Sequence, residues 1–202
     1  MCSSDLLNIV LSSNSPRRKE LLSGLGLDFR VHVIDGIDES YPHDLPASDV
    51  PQYIAKKKAA AYDIADDEIV ITADTLVIVG NEILGKPHDA DDARRMLHTI
   101  SGHKHQVTTG VCITSKDRQS AFSVTTDVAF RTLTDEEIDF YVTNYKPLDK
   151  AGAYGIQEWI GYIGVESIHG SYFNVMGLPV QRIYSELVSK FGLSLDDLRK
   201  EV

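Results

Sequence analysis

Cysteine is scarce in this chain of 202 residues, which has only Cys2 and Cys112. Two cysteines so far apart exclude a disulfide framework, and they exclude a zinc site built on cysteine pairs. Cys112 lies in the apolar run Val111-Cys112-Ile113. Because free thiols are commonly buried as small hydrophobic groups, we predict that Cys112 is a core residue.

Positive charge is also in short supply. The chain has 20 Lys and Arg residues against 30 Asp and Glu residues, which gives a formal net charge of −10. Proteins that bind nucleic acid or anionic membranes need a basic surface, so we expect neither partner. No run approaches the ~20 apolar residues of a membrane helix, and no signal peptide is visible. We therefore expect a cytoplasmic protein.

Strand-like and helix-like segments alternate along the chain. Apolar or β-branched runs predict strands, and apolar residues three or four positions apart predict helices. The predicted strands are 6–11, 69–71, 75–79, 82–84, 107–114 and 122–130, and the predicted helices are 17–25, 50–65, 90–100, 134–141 and 179–191. This α/β pattern fits a mixed, twisted sheet with flanking helices better than a purely parallel array. Since no linker or repeat is visible, we expect a single domain over residues 1–202.

Several helix ends and one turn have clear local signals. Ser15 is a good N-cap, and Pro16 follows it at the first helical position, where a missing N–H costs nothing. The remaining signals are Asp89 as an N-cap, Thr134 with Glu137 as a capping box, and Gly80-Asn81 as a primed hairpin turn.

The segment Ser13-Asn14-Ser15-Pro16-Arg17-Arg18 is the sharpest functional signal. It joins a predicted strand to a predicted helix, so serine hydroxyls, N–H groups of the first turn and the positive end of the helix dipole converge there. Arg17 and Arg18 add charge, and a guanidinium can hold phosphate oxygens in a bidentate fork. The alternative is a well-capped helix whose arginines are solvated. Cations in a first turn oppose the dipole, however, so the pattern favours phosphate binding.

Acidic residues mark two further points. Asp74 follows the predicted strand 69–71, and strand ends are where α/β sheets collect ligands; a turn or cap residue is the alternative. Asp38 and Glu39 follow a turn at Gly36. Separate carboxylates near a phosphate site suit Mg²⁺, which keeps several waters and takes few protein ligands. Solvated surface is the alternative for such a pair.

Two apparent motifs do not hold up. The stretch Gly80 to Lys86 spells most of a P-loop, but Pro87 stands where Ser or Thr would hold Mg²⁺, and the intervening residues are typical of a hairpin strand. Lys86 alone can still reach an anion. His103-Lys104-His105 lacks a third nearby metal ligand, so we interpret these residues as surface.

The sequence resembles the Maf family of nucleoside triphosphate pyrophosphatases over nearly its whole length. The family's Ser-x-Ser-Pro-Arg-Arg opening matches residues 13–18. The other matching segments, in order, are Gly36-Ile37-Asp38-Glu39, Lys58-Ala59, Ala73-Asp74-Thr75, Gly85-Lys86-Pro87, Ser101-Gly102, 149–157 (Asp-Lys-Ala-Gly-Ala-Tyr-Gly-Ile-Gln), Gly170-Ser171-Tyr172 and Gly177-Leu178-Pro179.

The resemblance implies a Maf/ITPase-like fold with two lobes around a deep substrate groove, in a family that is often dimeric. It implies hydrolysis of a nucleoside triphosphate between its α- and β-phosphates with a divalent cation, Mg²⁺ or Mn²⁺. Asp74 matches the family's proton acceptor, and Glu39 with Asp74 would hold the metal. The substrate-binding positions implied are Ser13, Ser15, Arg17, Arg18, Lys58, Thr75, Lys86 and Gln157.

Three positions separate the subfamilies. The dTTP/UTP pyrophosphatases carry the residues found here as Arg17, Thr75 and Gln157, whereas the 7-methyl-GTP subgroup has Trp, Gln and Glu. A neutral Gln can both donate to and accept from a pyrimidine edge, while a Trp could stack on a methylated, cationic purine. The resemblance thus implies dTTP and UTP as substrates and removal of non-canonical or modified nucleotides as a role. The alternatives are 7-methyl-GTP or another nucleotide, or a nucleotide-binding regulator of cell division at septation.

Overall fold

The computed structural model describes residues 8–198, which contain one seven-stranded sheet. Its strand order is β2-β1-β3-β5-β6-β7, and β4 pairs with β3. The strands are β1 (Asn8–Leu11), β2 (Phe29–Val31), β3 (Glu68–Val79), β4 (Glu82–Leu84), β5 (Lys104–Thr114), β6 (Gln119–Phe130) and β7 (Val165–His169). Residues 6 and 7 of the first predicted strand, and Cys2, lie outside the described residues.

The helices of the described chain are short. They are α1 (Pro16–Ser23), α2 (Val50–Ala59), α3 (Ala90–Ile100), α4 (Asp135–Tyr145), α5 (Trp159–Gly164), α6 (Tyr172–Met176) and α7 (Val180–Phe191), with 3₁₀ turns at Ala151–Ala153 and Leu195–Asp197. The longest of them, α7, has 12 residues. None of the helices within 8–198 is therefore long enough to cross a bilayer.

The sheet is mixed, as predicted. β1 pairs in parallel with β2 and with β3. β3 and β4 form the antiparallel hairpin predicted around Gly80-Asn81, and β6 pairs antiparallel with β7. The strand pairs therefore confirm the α/β fold class.

The chain divides into two compact units. Unit 1 contains residues 8–74, 110–123 and 177–198 of the described chain, and unit 2 contains Thr75–Thr109 and Val124–Met176. Three of the four crossings, after residues 74, 109 and 123, fall inside strands β3, β5 and β6. No linker marks such a crossing, which explains why the sequence shows no boundary. The single domain over 1–202 and the groove between two lobes stay predictions.

Helix α2 is shorter than predicted. It ends at Ala59 rather than near residue 65. The Tyr62 hydroxyl donates to the His32 carbonyl at 2.7 Å and lies 2.6 Å from the Ser12 hydroxyl, which can donate to it. This tertiary contact draws the chain away from the helix axis. The expected extension to residue 65 was therefore wrong.

Strand β3 is longer than predicted. Residues 69–71 and 75–79 were expected as separate strands around a polar loop, but Glu68–Val79 is continuous. The Thr72 hydroxyl, fully buried, donates to the Ala55 carbonyl at 2.7 Å. Because a tertiary partner satisfies this polar group, the Thr72 to Thr75 stretch stays in the sheet and carries Asp74 within β3.

His105 corrects the surface interpretation of the 103–105 segment. His103 is exposed, but His105 lies in β5 with 1% of its surface accessible. Its Nε2 lies 2.7 Å from the Tyr154 hydroxyl, and its ring packs edge-on against Tyr154 and Phe130. Burial lowers the pKa of His105 to about 4. It is therefore a neutral core residue of unit 2.

We predict that His105 makes stability depend on pH. In the unfolded chain His105 has the ordinary histidine pKa of ~6.5. Between pH 6.5 and about 4, His105 is therefore protonated in the unfolded chain and neutral in the folded chain. The free energy of unfolding should fall by about 3 kcal/mol as pH drops through this window. Urea titrations should show this loss in the wild type and its absence in His105→Gln. The exposed His98→Gln is the control, and equal pH slopes in wild type and His105→Gln would contradict the prediction.

Candidate active site

The start of α1 is built as the sequence predicts. Ser15 caps the helix, because its hydroxyl accepts from the Arg18 N–H at 3.4 Å, and Pro16 occupies the first turn. The Ser13 hydroxyl accepts from the Ser15 N–H at 3.2 Å. A serine hydroxyl that accepts a hydrogen bond still carries a hydrogen that it can donate to an anion. The two serines are thus fixed by the backbone at the positive end of the helix dipole.

Arg18 has a second role that the sequence did not reveal. Its Nε donates to the Gly177 carbonyl at 2.8 Å, and its Nη1 donates to the Ala73 carbonyl at 2.9 Å. Burial lowers the pKa of Arg18, while the negative charge of Asp74 opposes that shift. The guanidinium therefore fixes the residue next to Asp74. The matching segment Gly177-Leu178-Pro179 was the available signal, but the sequence gave that segment no partner.

A lysine joins the two acidic residues singled out above. Lys58 Nζ lies 3.1 Å from Asp74 Oδ1 and 3.1 Å from Glu39 Oε1. The side chains of Lys58 and Asp74 are each 15% exposed, and that of Glu39 is 54% exposed. Lys58 comes from the last turn of α2, Asp74 from β3 and Glu39 from the loop after β2. Folding thus brings three distant segments of unit 1 to one point.

Asp38 does not belong to this cluster. Its carboxylate lies 2.9 Å from Lys57 Nζ, and it accepts hydrogen bonds from Ser40. The bonds from Ser40 and Lys57 lower the pKa of Asp38. Asp38 therefore pairs with Lys57, whereas Glu39 pairs with Lys58, which also contacts Asp74.

The donor set at Lys58 fits a divalent cation of the Mg²⁺ type. Two carboxylates already share one positively charged nitrogen, so a small cation between them would meet oxygen ligands from both. Within residues 8–198 no group of three or more acidic, His or Cys side chains could hold a metal. Few protein ligands and several waters are the normal arrangement for Mg²⁺, which suits this pair.

The remaining predicted residues lie mainly in unit 2. Thr75 follows Asp74 in β3, and its hydroxyl lies 2.9 Å from the Thr109 hydroxyl. Lys86 is exposed directly after Gly85, whose carbonyl accepts from the Gly152 N–H at 3.0 Å. Gln157 is half-buried, and its Oε1 is buried without a hydrogen-bond partner in the described chain. Arg17 stays in unit 1, where its charge helps to lower the pKa of Arg18.

The structure therefore connects six of the predicted residues within unit 1. Successive contacts run from the start of α1 through Arg18 to Ala73, the neighbour of Asp74, and from Asp74 to Lys58. The six residues are Ser13, Ser15, Arg18, Asp74, Lys58 and Glu39. In unit 2, the Gly85–Gly152 hydrogen bond ties the Lys86 loop to the segment that carries Gln157. Lys58 contacts two carboxylates, and Arg18 binds the carbonyl of the residue before Asp74, so this site can bind an anion and accept a proton.

Comparison with known proteins supports the sequence resemblance. A family model described as Maf-like protein matches residues 8–190. A dTTP/UTP pyrophosphatase of Phocaeicola vulgatus is 60% identical over 181 residues, covering 89% of this chain and 94% of the relative. A protein of the same name from Parabacteroides distasonis is 59% identical with the same coverage, and one from Bacteroides fragilis (strain YCH46) is 55% identical over 185 residues, covering 91% and 96%. The family match spans nearly the whole described chain, and it therefore places this protein in the Maf-like protein family.

Proposed function

We propose that this chain is a nucleoside triphosphate pyrophosphatase that hydrolyses dTTP and UTP to the monophosphate and diphosphate with a divalent cation. The observation that carries the proposal is the contact of Lys58 with both Asp74 and Glu39, 3.1 Å from each. The relatives named dTTP/UTP pyrophosphatase support the substrate and the reaction.

The residues of unit 1 are suited to bind the phosphates of the substrate. In a chain with a net charge of −10, a triphosphate needs locally concentrated cations. Arg18 and Lys58 supply them beside the Ser13 and Ser15 hydroxyls, and Lys86 is assigned to the same task by the resemblance. These groups offset the substrate's charge and stabilise the charge that develops on the leaving diphosphate.

Glu39 and Asp74 would hold the divalent cation, Mg²⁺ or Mn²⁺. When bound, this ion would polarise phosphate oxygens and lower the pKa of a bound water. Lys58 now lies where the two carboxylates converge, so we infer that its ammonium group turns to a phosphate when the substrate–metal complex enters. In the absence of substrate, the Lys58 ammonium group would thereby offset the electrostatic repulsion between the two carboxylates.

Asp74 would act on the attacking water. The water oxygen forms a bond to the α-phosphorus as the bond to the α–β bridging oxygen breaks. One water proton passes to the Asp74 carboxylate, and the bridging oxygen leaves with diphosphate. Arg18 holds the Ala73 carbonyl and so fixes the backbone from which this carboxylate projects.

Gln157, Thr75 and Arg17 would select the base. Thymine and uracil offer an N3–H donor and an O4 acceptor on one edge. A Gln side chain offers both an acceptor oxygen and amide donors, so it can meet this edge. The buried Gln157 Oε1, which has no partner among the described residues, supports this role because a ligand donor would satisfy it.

One assay tests the function and its alternatives together. With Mg²⁺ present, we expect dTTP and UTP to be cleaved faster than CTP and 7-methyl-GTP, with release of diphosphate. Release of orthophosphate alone would contradict the proposed cleavage between the α- and β-phosphates. A preference for 7-methyl-GTP would overturn the assignment of Arg17, Thr75 and Gln157. Binding of dTTP without turnover would favour the nucleotide-binding regulator of septation.

A further inference from the structure

The segment that carries Gln157 has a backbone that needs support. We call residues 149–158 the Gln157 segment. Gly152 and Ala153 within it have φ angles of +68° and +59°. A Cβ at Gly152 would lie 2.7 Å from Val77 Cγ2. Left-handed residues, above all a non-glycine, persist only where surrounding contacts determine them, so the segment must be held by its neighbours.

Tyr141 holds the segment at two points. Its side chain is fully buried in α4, and its hydroxyl accepts from the Gly155 N–H at 3.0 Å and donates to Glu158 Oε2. Burial and the hydrogen bond to Glu158 raise the pKa of Tyr141, so the hydroxyl stays a donor. The Glu158 N–H in turn donates to the Gly155 carbonyl at 2.9 Å. One hydroxyl thus binds both ends of the turn from Gly155 to Glu158.

Lys150 completes the network. Its side chain is 9% exposed, and its Nζ lies 3.1 Å from Glu158 Oε1 and 2.8 Å from Asp149 Oδ1. Gly155 fits tightly beside this pair, because a Cβ there would lie 3.0 Å from both Glu158 Cδ and Lys150 Cε. Because Lys150 is buried, desolvation offsets part of the attraction in these ion pairs, whereas their fixed geometry can define one conformation.

Gln157 lies inside the turn that this network closes. It immediately precedes Glu158, and its Oε1 is the buried acceptor without a partner in the described chain. An unsatisfied buried acceptor costs free energy, so a turn free to relax would expose it to water. The position of the Gln157 amide therefore depends on the contacts that fix Gly155 and Glu158.

We propose that Glu158, held by Tyr141 and Lys150, is a positioning residue that fixes the Gln157 amide for the pyrimidine base. The inference rests on the proposed function, since it deepens the base recognition assigned to Gln157. Glu158 acts through Gln157 and touches neither the phosphates nor the attacking water. Loss of the network should therefore weaken recognition of the base and leave recognition of the phosphates intact.

Product inhibition separates the two kinds of recognition. Tyr141→Phe removes the hydroxyl. In this variant we expect the inhibition constant of dTMP to rise about 10-fold, which corresponds to the net free energy of about one hydrogen bond. The inhibition constant of diphosphate should be unchanged, and KM for dTTP should rise more than kcat falls. Tyr145→Phe is the matched control, because Tyr145 stacks on Tyr141 in the same helix and is partly exposed.

The outcomes are distinct from a loss of stability. Unchanged dTMP inhibition, or equal weakening of dTMP and diphosphate, would overturn the positioning role. If Tyr141→Phe does not fold, Glu158→Gln carries the test, since it keeps the side-chain shape and removes the charge that pairs with Lys150. A wild type that releases no diphosphate from dTTP would defeat the proposed function itself. Cleavage of dTTP with normal dTMP inhibition in both variants would defeat only the positioning role.

Discussion

Asp74→Asn should lower kcat for dTTP by about 10²- to 10⁴-fold, the usual contribution of a positioned general base. An amide of the same size keeps the packing of β3 but cannot accept the water proton. It also removes the charge that Lys58 contacts at 3.1 Å and one of the two candidate metal ligands. The fall should therefore appear in kcat at saturating dTTP and Mg²⁺, measured as diphosphate release.

Asp67→Asn is the matched control for this change. Asp67 is an exposed aspartate in the turn before β3. It should retain the wild-type kcat, and both variants should unfold at similar temperatures. Full turnover by Asp74→Asn would remove Asp74 from the role of proton acceptor.

Gly110→Ala should cause a large loss of stability. Gly110 lies in β5 against the start of α2, and a Cβ there would lie 2.1 Å from the Gln52 nitrogen and 2.2 Å from the Pro51 carbonyl carbon. Both atoms are backbone, so the overlap cannot be relieved by a side-chain rotation. Helix α2 must move away from β5, which should cost about 3 kcal/mol or more. Because α2 carries Lys58, activity should fall with stability.

A thermal unfolding series measures this effect. At about 2–4 °C per kcal/mol for a protein of this size, Gly110→Ala should lower Tm by about 6–12 °C. Gly85→Ala is the control, because nothing lies within 4 Å of a Cβ built there. Equal Tm values for the two variants would mean that α2 does not press against Gly110.

The features that the sequence predicted correctly depend on residues close together in the chain. The Asp89 side chain accepts from the Asp92 N–H and starts α3, and Thr134 with Glu137 forms a complete capping box at α4. The Gly80-Asn81 turn joins paired strands. Such signals act within a few residues, so an isolated segment already contains the information that determines them.

The predictions fail where contacts between residues far apart in the sequence determine the bounds of a helix or strand. Tyr62 ends α2 through contacts with Ser12 and His32, and Thr72 keeps β3 continuous through the Ala55 carbonyl. In the candidate site, the Arg18 contact to Gly177 spans 159 positions. No spacing rule reaches that far, and Gln157 was assigned only through the family resemblance.

Hydrolysis of dTTP in ¹⁸O-labelled water tests the central claim most directly. Because water attacks the α-phosphorus in this account, mass spectrometry should find one ¹⁸O atom in dTMP and none in the released diphosphate. Label in the diphosphate would place the attack on the β-phosphorus and contradict the account. Labelled orthophosphate as the main product would contradict it equally, since the bond broken would then be the terminal one.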